Sequence, residues 1–573
     1  MLDFNQPSAI VVLMFLDRLR FILAQPKTSV QLCVLGIVAG SSAALLIILF
    51  RLAIEHLQLL YLQQVDDFTT MPAFERLFLP FAGVVLILLF AYASGFKHYR
   101  TGIPYVIHRL KHSYGYIPLR STLNQFFGGV LALASGFSVG REGPSVHLGA
   151  AASGFIGRWL KLPYNSTRIL VGCGIAAGIS ASFNTPFAAV IFVMEVVLRE
   201  YRIHLFVPVM LAAACGSVLT RVVFGEASEL AFLRFVSLPQ WYYLYLVLFG
   251  IGLGALATLF NRQLMFLIRA TRPLSMVTRL LLAALLTSIV GYMLPQAMGS
   301  GVSAIQFVIE QPENLMLLSA ILAAKFLLTI GALGLGVPGG VIGPVFGMGA
   351  LAGTLLLVPL TLWMPQSQDY VSSFALLGIA GLLTAVLHAP LAALSAVMEL
   401  SFSPEVILPA MLVIVPAYVT STQLFKNRSI FLQQLEFQKL SYRNSSVQAH
   451  LQKTGVLAMM NPAFRLLHNA NEQQLLAQLN KYPDHAIIHR REKDDEVEYL
   501  YIQYDVSLST NEETPTRSFP MPAIASQATL AEAYNALQAK RDGAVYIYGK
   551  DESDVLGVLT WNQLRNEIML EQY

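Results

Sequence analysis

The chain is short of charge and short of cysteine. Only 13% of its 573 residues are Asp, Glu, Lys or Arg. About a quarter is usual for a soluble globular protein, so that class is excluded. The three cysteines, Cys33, Cys173 and Cys215, all lie in apolar segments. They match no metal-ligand spacing and imply no disulfide framework, which leaves buried, reduced thiols. A secretory leader is not expected either. The first apolar patch, AIVVLMFL, is preceded by Asp3 and followed by Asp17, Arg18 and Arg20, and no small-residue cleavage site follows it. Residues 1–29 are expected to form an amphipathic helix on the membrane surface. The apolar part holds no HExxH and no paired His/Asp set, so an intramembrane enzyme is not expected, and no metal site is assigned.

What the chain has is apolar length. Hydrophobic residues make up 55% of it, and mean hydropathy is +0.59. Apolar stretches cover residues 30–54, 76–94, 121–160, 168–198, 204–223, 240–260, 278–297, 315–335, 341–364, 372–400 and 404–425. A helix needs about 20 such residues to cross a bilayer. Several of these runs are too long for one crossing and too short for two, and many contain Gly or Pro. They predict tilted, broken or part-way helices, tolerated where protein or a cavity satisfies the freed backbone groups. Trp159, Trp241, Tyr242 and Tyr243 are expected at membrane interfaces. Charge divides unevenly: residues 1–439 carry a net +9 and residues 440–573 a net −5. A basic membrane part favours anions at its mouths, although loop charges that set topology give the same excess.

Two internal matches point to duplication. Gly140-Arg141-Glu142-Gly143-Pro144 returns 200 residues later as Gly340-Val341-Ile342-Gly343-Pro344, and Gly149-Ala150 returns as Gly349-Ala350. Residues 174–196 align without gaps to 378–400, with ten of 23 positions identical, among them Pro186/Pro390 and Glu195/Glu399. The halves run over about 30–225 and 240–425. Corresponding breaks in two halves of a membrane protein mark a transport site.

The first break has a definite chemistry. Glycines permit close backbone approach, and Pro144 suits the first turn of a helix. A helix starting there aims free N–H groups and its positive dipole end at whatever fills the break, which makes an anion site. Glu142 then acts as a tethered anion competing with a diffusible one. Its protonation or displacement frees the site, so Glu142 is assigned as the gate. The second break has the same glycines and proline without charge, and its Val341 and Ile342 amides are expected to face the same site. Thr101, in Thr-Gly-Ile-Pro at 101–104, offers a hydroxyl donor. His147 and His388 lie near these motifs and are candidates for pH tuning or for packing.

Together these motifs resemble those of the CLC family of chloride channels and chloride/proton exchangers, over the whole chain. Gly-Arg-Glu-Gly-Pro stands intact at 140–144; Gly-Ser-Gly-Ile-Pro is matched by Arg100-Thr101-Gly102-Ile103-Pro104, Gly-x-Phe-x-Pro by residues 340–344, and Ser182-Phe183-Asn184-Thr185-Pro186 through Glu195 also fits. The resemblance implies an all-α polytopic membrane protein of two inverted repeats with broken helices (residues 30–439). A small α/β cytoplasmic CBS-like regulatory tail (residues 440–573) follows. It implies a homodimer in the lipid bilayer of the cell (inner) membrane, both termini cytoplasmic, with chloride and similar anions as cargo and no nucleic acid partner. Chloride would meet Thr101, Gly102, Arg141, Gly143, Val341, Ile342 and a residue of the last membrane helix. That residue, a tyrosine in the family, aligns with Phe431. The family's exchangers carry an inner proton-relay glutamate where this chain has Val196, and Glu195 is the adjacent candidate. Val196 cannot hold a proton, so passive chloride conduction is the expected mode, with proton-coupled exchange as the alternative. In the tail, Gln563 stands where nucleotide-binding members have an aspartate, so no cofactor is expected and ATP least of all.

Overall fold

A computed structural model describes residues 7–96, 102–226, 230, 232–440, 446–493, 496–504 and 516–570. The chain divides into two compact units. One comprises Cys33–Ile156 and Ile169–Tyr442; the other comprises Met1–Leu32, Gly157–Arg168 and Arg443–Tyr573.

The first unit is helical. Among the described residues, ten helices are long and apolar enough to cross a membrane. Two of them, Val30–Gln58 and Tyr242–Ala270, have 29 residues. At about 1.5 Å per residue they exceed a hydrocarbon core of about 30 Å, which a tilt accommodates. The overlong apolar runs break as their glycines and prolines require. The first becomes Leu119–Ala134 and Glu142–Trp159; the second becomes Tyr164–Phe183 and Pro186–Phe192, continued by a π-helical turn, Val193–Leu198. The second half repeats the series as Leu315–Leu335, Ile342–Trp363, Val371–Leu387 and Pro390–Ser401. The repeated Gly149 and Gly349 have one job. A Cβ at Gly149 would overlap the carbonyl of Gly174, and one at Gly349 would lie 2.7 Å from Ile379 Cα. Each glycine lets two helices of its own half cross at backbone contact, as small residues do in membranes. Trp159 and Trp241 are exposed, but Tyr242 is buried against Phe374, so it is a packing residue and not an interface anchor.

The second unit contains the tail. Strands Phe464–His468, Ala486–Lys493, Glu496–Tyr504 and Thr516–Pro520 form a sheet in that order, the first pair parallel and the others antiparallel. Ala523–Ala525, Ala544–Tyr548 and Val555–Thr560 form a second sheet. Sequence patterning gives Ala544–Tyr548, Val555–Thr560 and the helix Trp561–Leu570 closely. It misses Phe464–His468 and Ala523–Ala525; the polar stretch SLSTNEETPTR at 507–517 reads as a linker, but its last two residues begin strand Thr516–Pro520, and residues 505–515 lie outside the described residues. Residues 157–168, an inter-helix connection, also belong to this unit. Asn165 donates to Leu23 O and Ala24 O, Ser166 donates to Leu23 O, and Tyr164 N donates to Gln527 O. The N-terminal helix Pro7–Ala24 is therefore built into the unit: Gly455 N donates to Ala24 O at 2.9 Å.

Candidate anion site

The two broken motifs meet back to back. Gly140 N donates to Gly340 O at 2.8 Å and Gly340 N to Gly140 O at 2.7 Å, an antiparallel pair across the halves. Helices Glu142–Trp159 and Ile342–Trp363 start on either side of this pair. Glu142 is 2% exposed, and its Oε1 accepts from Gly343 N, in the first turn of the opposite helix. Its Oε2 is buried with no hydrogen-bond partner among the described residues. The glycines make this possible. A Cβ at Gly140 or at Gly340 would overlap Oε2, and one at Gly143 would lie 2.6 Å from Gly339 O. The carboxylate thus occupies space that only glycines leave open, and it takes an N–H that a diffusible anion would otherwise take.

Arg141 is buried, with its guanidinium 5.3 Å from the centre of the Phe183 ring. Gly102, in a left-handed conformation (φ 77°), opens helix Gly102–His112; a Cβ there would lie 4.0 Å from Gly143 Cα. Thr101 lies outside the described residues. Ile342 lines the Glu142 cavity, and Val341 is the buried residue preceding that helix. The Gly343 amide, one residue beyond the expected pair, donates to the carboxylate, and the Ile342 amide of that pair also acts on it.

Three cavities share walls along the fold. The largest, about 640 Å³, is lined by Glu55, Asp66, Glu310, Arg51, Arg141 and Ser300. Arg51, Arg141 and Ser300 also line a tight cavity of about 100 Å³ at Glu142. Leu387 lines that one and a third of about 180 Å³, whose walls include Glu195, Val196, His388, Tyr418 and Phe431. Phe431 starts the helix that opens at Ile430 and is 4% exposed. It brings no hydroxyl, but Tyr418, thirteen residues earlier and not singled out by sequence, does; its ring centre is 5.5 Å from that of His388.

Glu195 is spoken for. Its oxygens accept from Leu391 N (3.2 Å) and Ala392 N (2.7 Å), at the second and third positions of helix Pro390–Ser401. Glu399 does the same in return, accepting from Phe187 N (2.9 Å) and Ala188 N (2.8 Å) of helix Pro186–Phe192. Neither helix has a side-chain cap of its own. Each half therefore satisfies the other's free N–H groups. His147 is fully buried and stacked on Tyr105, with neither ring nitrogen hydrogen-bonded among the described residues. His388 ends helix Val371–Leu387 in a left-handed conformation (φ 59°).

Sequence reading passed over a buried brace beside the site. Lys325 is fully buried and donates to Ala297 O, Met298 O and Gly299 O, the last at 2.6 Å. Asp66 accepts from Ser300 N (3.0 Å) and Ser300 Oγ (2.6 Å). Together they hold the loop at 297–301, where a Cβ on Gly301 would lie 2.9 Å from Gly343 O. The available signal was Lys325 itself, the one charge in the apolar run 315–335. No group of three or more His, Cys, Asp or Glu among the described residues is arranged to hold a metal ion.

Comparison with known proteins places this geometry. The sequence model of the family described as voltage gated chloride channel matches residues 81–422. A protein of Ralstonia nicotianae named "Putative chloride channel protein ClcB-like" is 30% identical over 407 residues, 68% of this chain and 93% of that one. The H(+)/Cl(-) exchange transporter ClcA of Citrobacter koseri is 28% identical over 416 residues, 69% of this chain and 86% of that one. Among solved structures, a slow cyanobacterial Cl-/H+ antiporter superimposes with a TM-score of 0.63 at 22% identity, covering 71% of this chain and 98% of that one. A eukaryotic CLC transporter gives 0.60 at 19%, covering 96% of this chain and 98% of that one.

Proposed function

The chain belongs to the CLC family, and from that premise we propose that it carries chloride across a membrane past Glu142, in exchange for protons. The observation that carries the proposal is the Glu142 carboxylate seated on the Gly343 amide of the other half. Chloride reaching that amide displaces the carboxylate, and a proton on the carboxylate weakens its hold. The two ions therefore compete for one position, which is the elementary requirement of exchange. The relatives named as H(+)/Cl(-) exchange transporters support this mode over the passive conduction expected from Val196. One observation favours the passive reading. Val196 lines the third cavity, and both oxygens of its carboxylate neighbour Glu195 are engaged by amides.

The reading extends to a homodimer in the inner membrane with both termini cytoplasmic, the tail regulating transport without ATP. Reconstitution into vesicles tests the central claim. Exchange shifts the reversal potential when a pH gradient is imposed and lets that gradient drive chloride uphill. A reversal potential that follows chloride alone overturns exchange and leaves the passive reading. The absence of chloride flux overturns both.

A further inference from the structure

A fourth cavity lies beside the path above and shares the Arg428 wall with it. It is a solvent-open cleft of about 460 Å³ between the end of helix Tyr242–Ala270 and the loop preceding the Ile430 helix. That volume lies within the range of small-ligand sites, about 300–1,000 Å³. Arg262, Arg269, Lys426 and Arg428 line it, with Glu436 the single acid. We propose that this cleft binds a phosphate-bearing anion, a phosphomonoester, through Arg269, Lys426 and Arg428.

Three features support a built site. The cleft already displays its chemistry, because Arg428 grips the Glu436 carboxylate with both terminal nitrogens, at 2.8 and 2.6 Å. A guanidinium fork holds phosphate oxygens in the same way. Arg269 and Lys426 are exposed and their side chains have no hydrogen bond or ion pair among the described residues, and Lys426 is held in a left-handed conformation (φ 51°). Such a backbone is strained for a non-glycine residue and persists where the surrounding structure holds it. The loop between them is rigidly tied. Arg262 donates to Phe425 O at 2.9 Å, Asn427 to Ser421 Oγ at 2.9 Å, Gln433 to Arg428 O at 2.6 Å and Asn261 to the same carbonyl at 3.3 Å. Arg428 also lines the third cavity with Val196, His388 and Phe431. A phosphate that draws Arg428 from Glu436 alters the charge at that end of the path.

The ligand's phosphate has two sources, a lipid headgroup or a soluble phosphomonoester, and the test separates them. Full-length protein is titrated with glycerol phosphate in uncharged detergent. In parallel, chloride flux is measured in phosphatidylcholine vesicles with and without phosphatidic acid. The variant R269Q/K426Q changes two exposed residues away from Glu142 and should match wild type in pure phosphatidylcholine. Saturable glycerol phosphate binding that weakens at least about tenfold in the variant assigns a soluble ligand. A flux response to phosphatidic acid that the variant loses assigns the lipid. Lys426→Gln alone should move either readout the same way, by about fivefold. Equal responses of wild type and variants to both ligands, or no response of wild type to either, overturns the proposal.

Discussion

Glu142, Glu195 and Glu399 each accept from amides at a helix N-terminus of the other half, and they divide by symmetry. Glu195 and Glu399 are repeat partners that each cap a helix of the other half. Glu142 has no partner: the corresponding position in the second half is Ile342, as Val341 corresponds to Arg141. A feature present in both halves serves the packing of the halves. A feature present in one breaks the symmetry at the point where the two motifs meet. Glu195 and Glu399 also have both oxygens satisfied by amides, whereas Glu142 leaves Oε2 without a hydrogen bond. A buried carboxylate oxygen without a partner carries an unmet desolvation cost, which movement toward a new donor relieves.

The largest effect is expected from removing the asymmetric member. Glu142→Ala deletes the tethered anion and leaves the Gly343 amide to chloride. A hydrogen bond to a charged group is worth about 1.5–3 kcal/mol, so anion occupancy at this amide should rise about tenfold to a hundredfold. Flux in vesicles should lose its dependence on pH, and any coupling to protons should vanish. A variant that retains wild-type pH dependence would show Glu142 to be a brace, on a par with the other two.

The symmetric pair should behave alike and differently from Glu142. Glu195→Ala and Glu399→Ala each strip two amides of a charged cap, at about 2 kcal/mol apiece. Thermal unfolding of purified protein should show two similar losses, with Glu142→Ala costing less. If Glu195→Ala instead abolishes proton coupling with no loss of stability, Glu195 is the inner relay and the symmetry argument fails for it.

This division was only half legible in the sequence. The motif at 140–144 could be read because its composition is itself the signal, a charged pair set between glycines and before a proline in an apolar run, although the contacts that need Gly140 and Gly143 reach Gly340 and Gly339 of the other half. The Glu195/Glu399 match was visible as identity, but the trans capping was not, since it depends on how two segments about 200 residues apart meet. Lys325 and Asp66 were missed for the same reason; their partners are the carbonyls and amides of a loop that has no pattern of its own. In the tail, Ala544–Tyr548 and Val555–Thr560 are continuous apolar strands and announce themselves. Phe464–His468 and Ala523–Ala525 pair in parallel with strands reached through helices, so no hairpin turn marks them.

The glycine contacts allow a more local test of the same comparison. Gly340→Ala places a methyl group where Glu142 Oε2 now sits, so the single substitution should eject the carboxylate and perturb the site. In a Glu142→Ala background the clash with the carboxylate is gone, and the close contact that remains is with Gly143 N, at 2.7 Å. A double-mutant cycle on stability should therefore give a coupling of about 0.5–3 kcal/mol, with the second substitution milder in the presence of the first. Additive losses would mean that Gly340 is needed for its pairing with Gly140 and not for the carboxylate.

The smallest expected effect is in the other unit, where symmetry gives no guidance and local geometry must decide. Gln563 stands at the start of the last helix, and its Oε1 accepts from Thr560 N (2.9 Å) and Thr560 Oγ1 (3.1 Å). The side chain is folded back as a cap on its own strand end, and an amide has no negative charge with which to engage a ribose hydroxyl strongly. ATP at about millimolar concentration, near −4 kcal/mol for a weak site, should leave the melting temperature and the chloride flux unchanged. The measurement belongs on the full chain. The unit that holds residues 443–573 also takes in the N-terminal helix, whose Ala24 carbonyl receives Gly455 N, and residues 157–168. An isolated tail would lack those partners, and a shift seen with it could reflect that loss. A dose-dependent ATP stabilisation of the intact protein that Gln563→Ala does not diminish would place a nucleotide elsewhere in the unit, and one that Gln563→Ala removes would make Gln563 the contact itself.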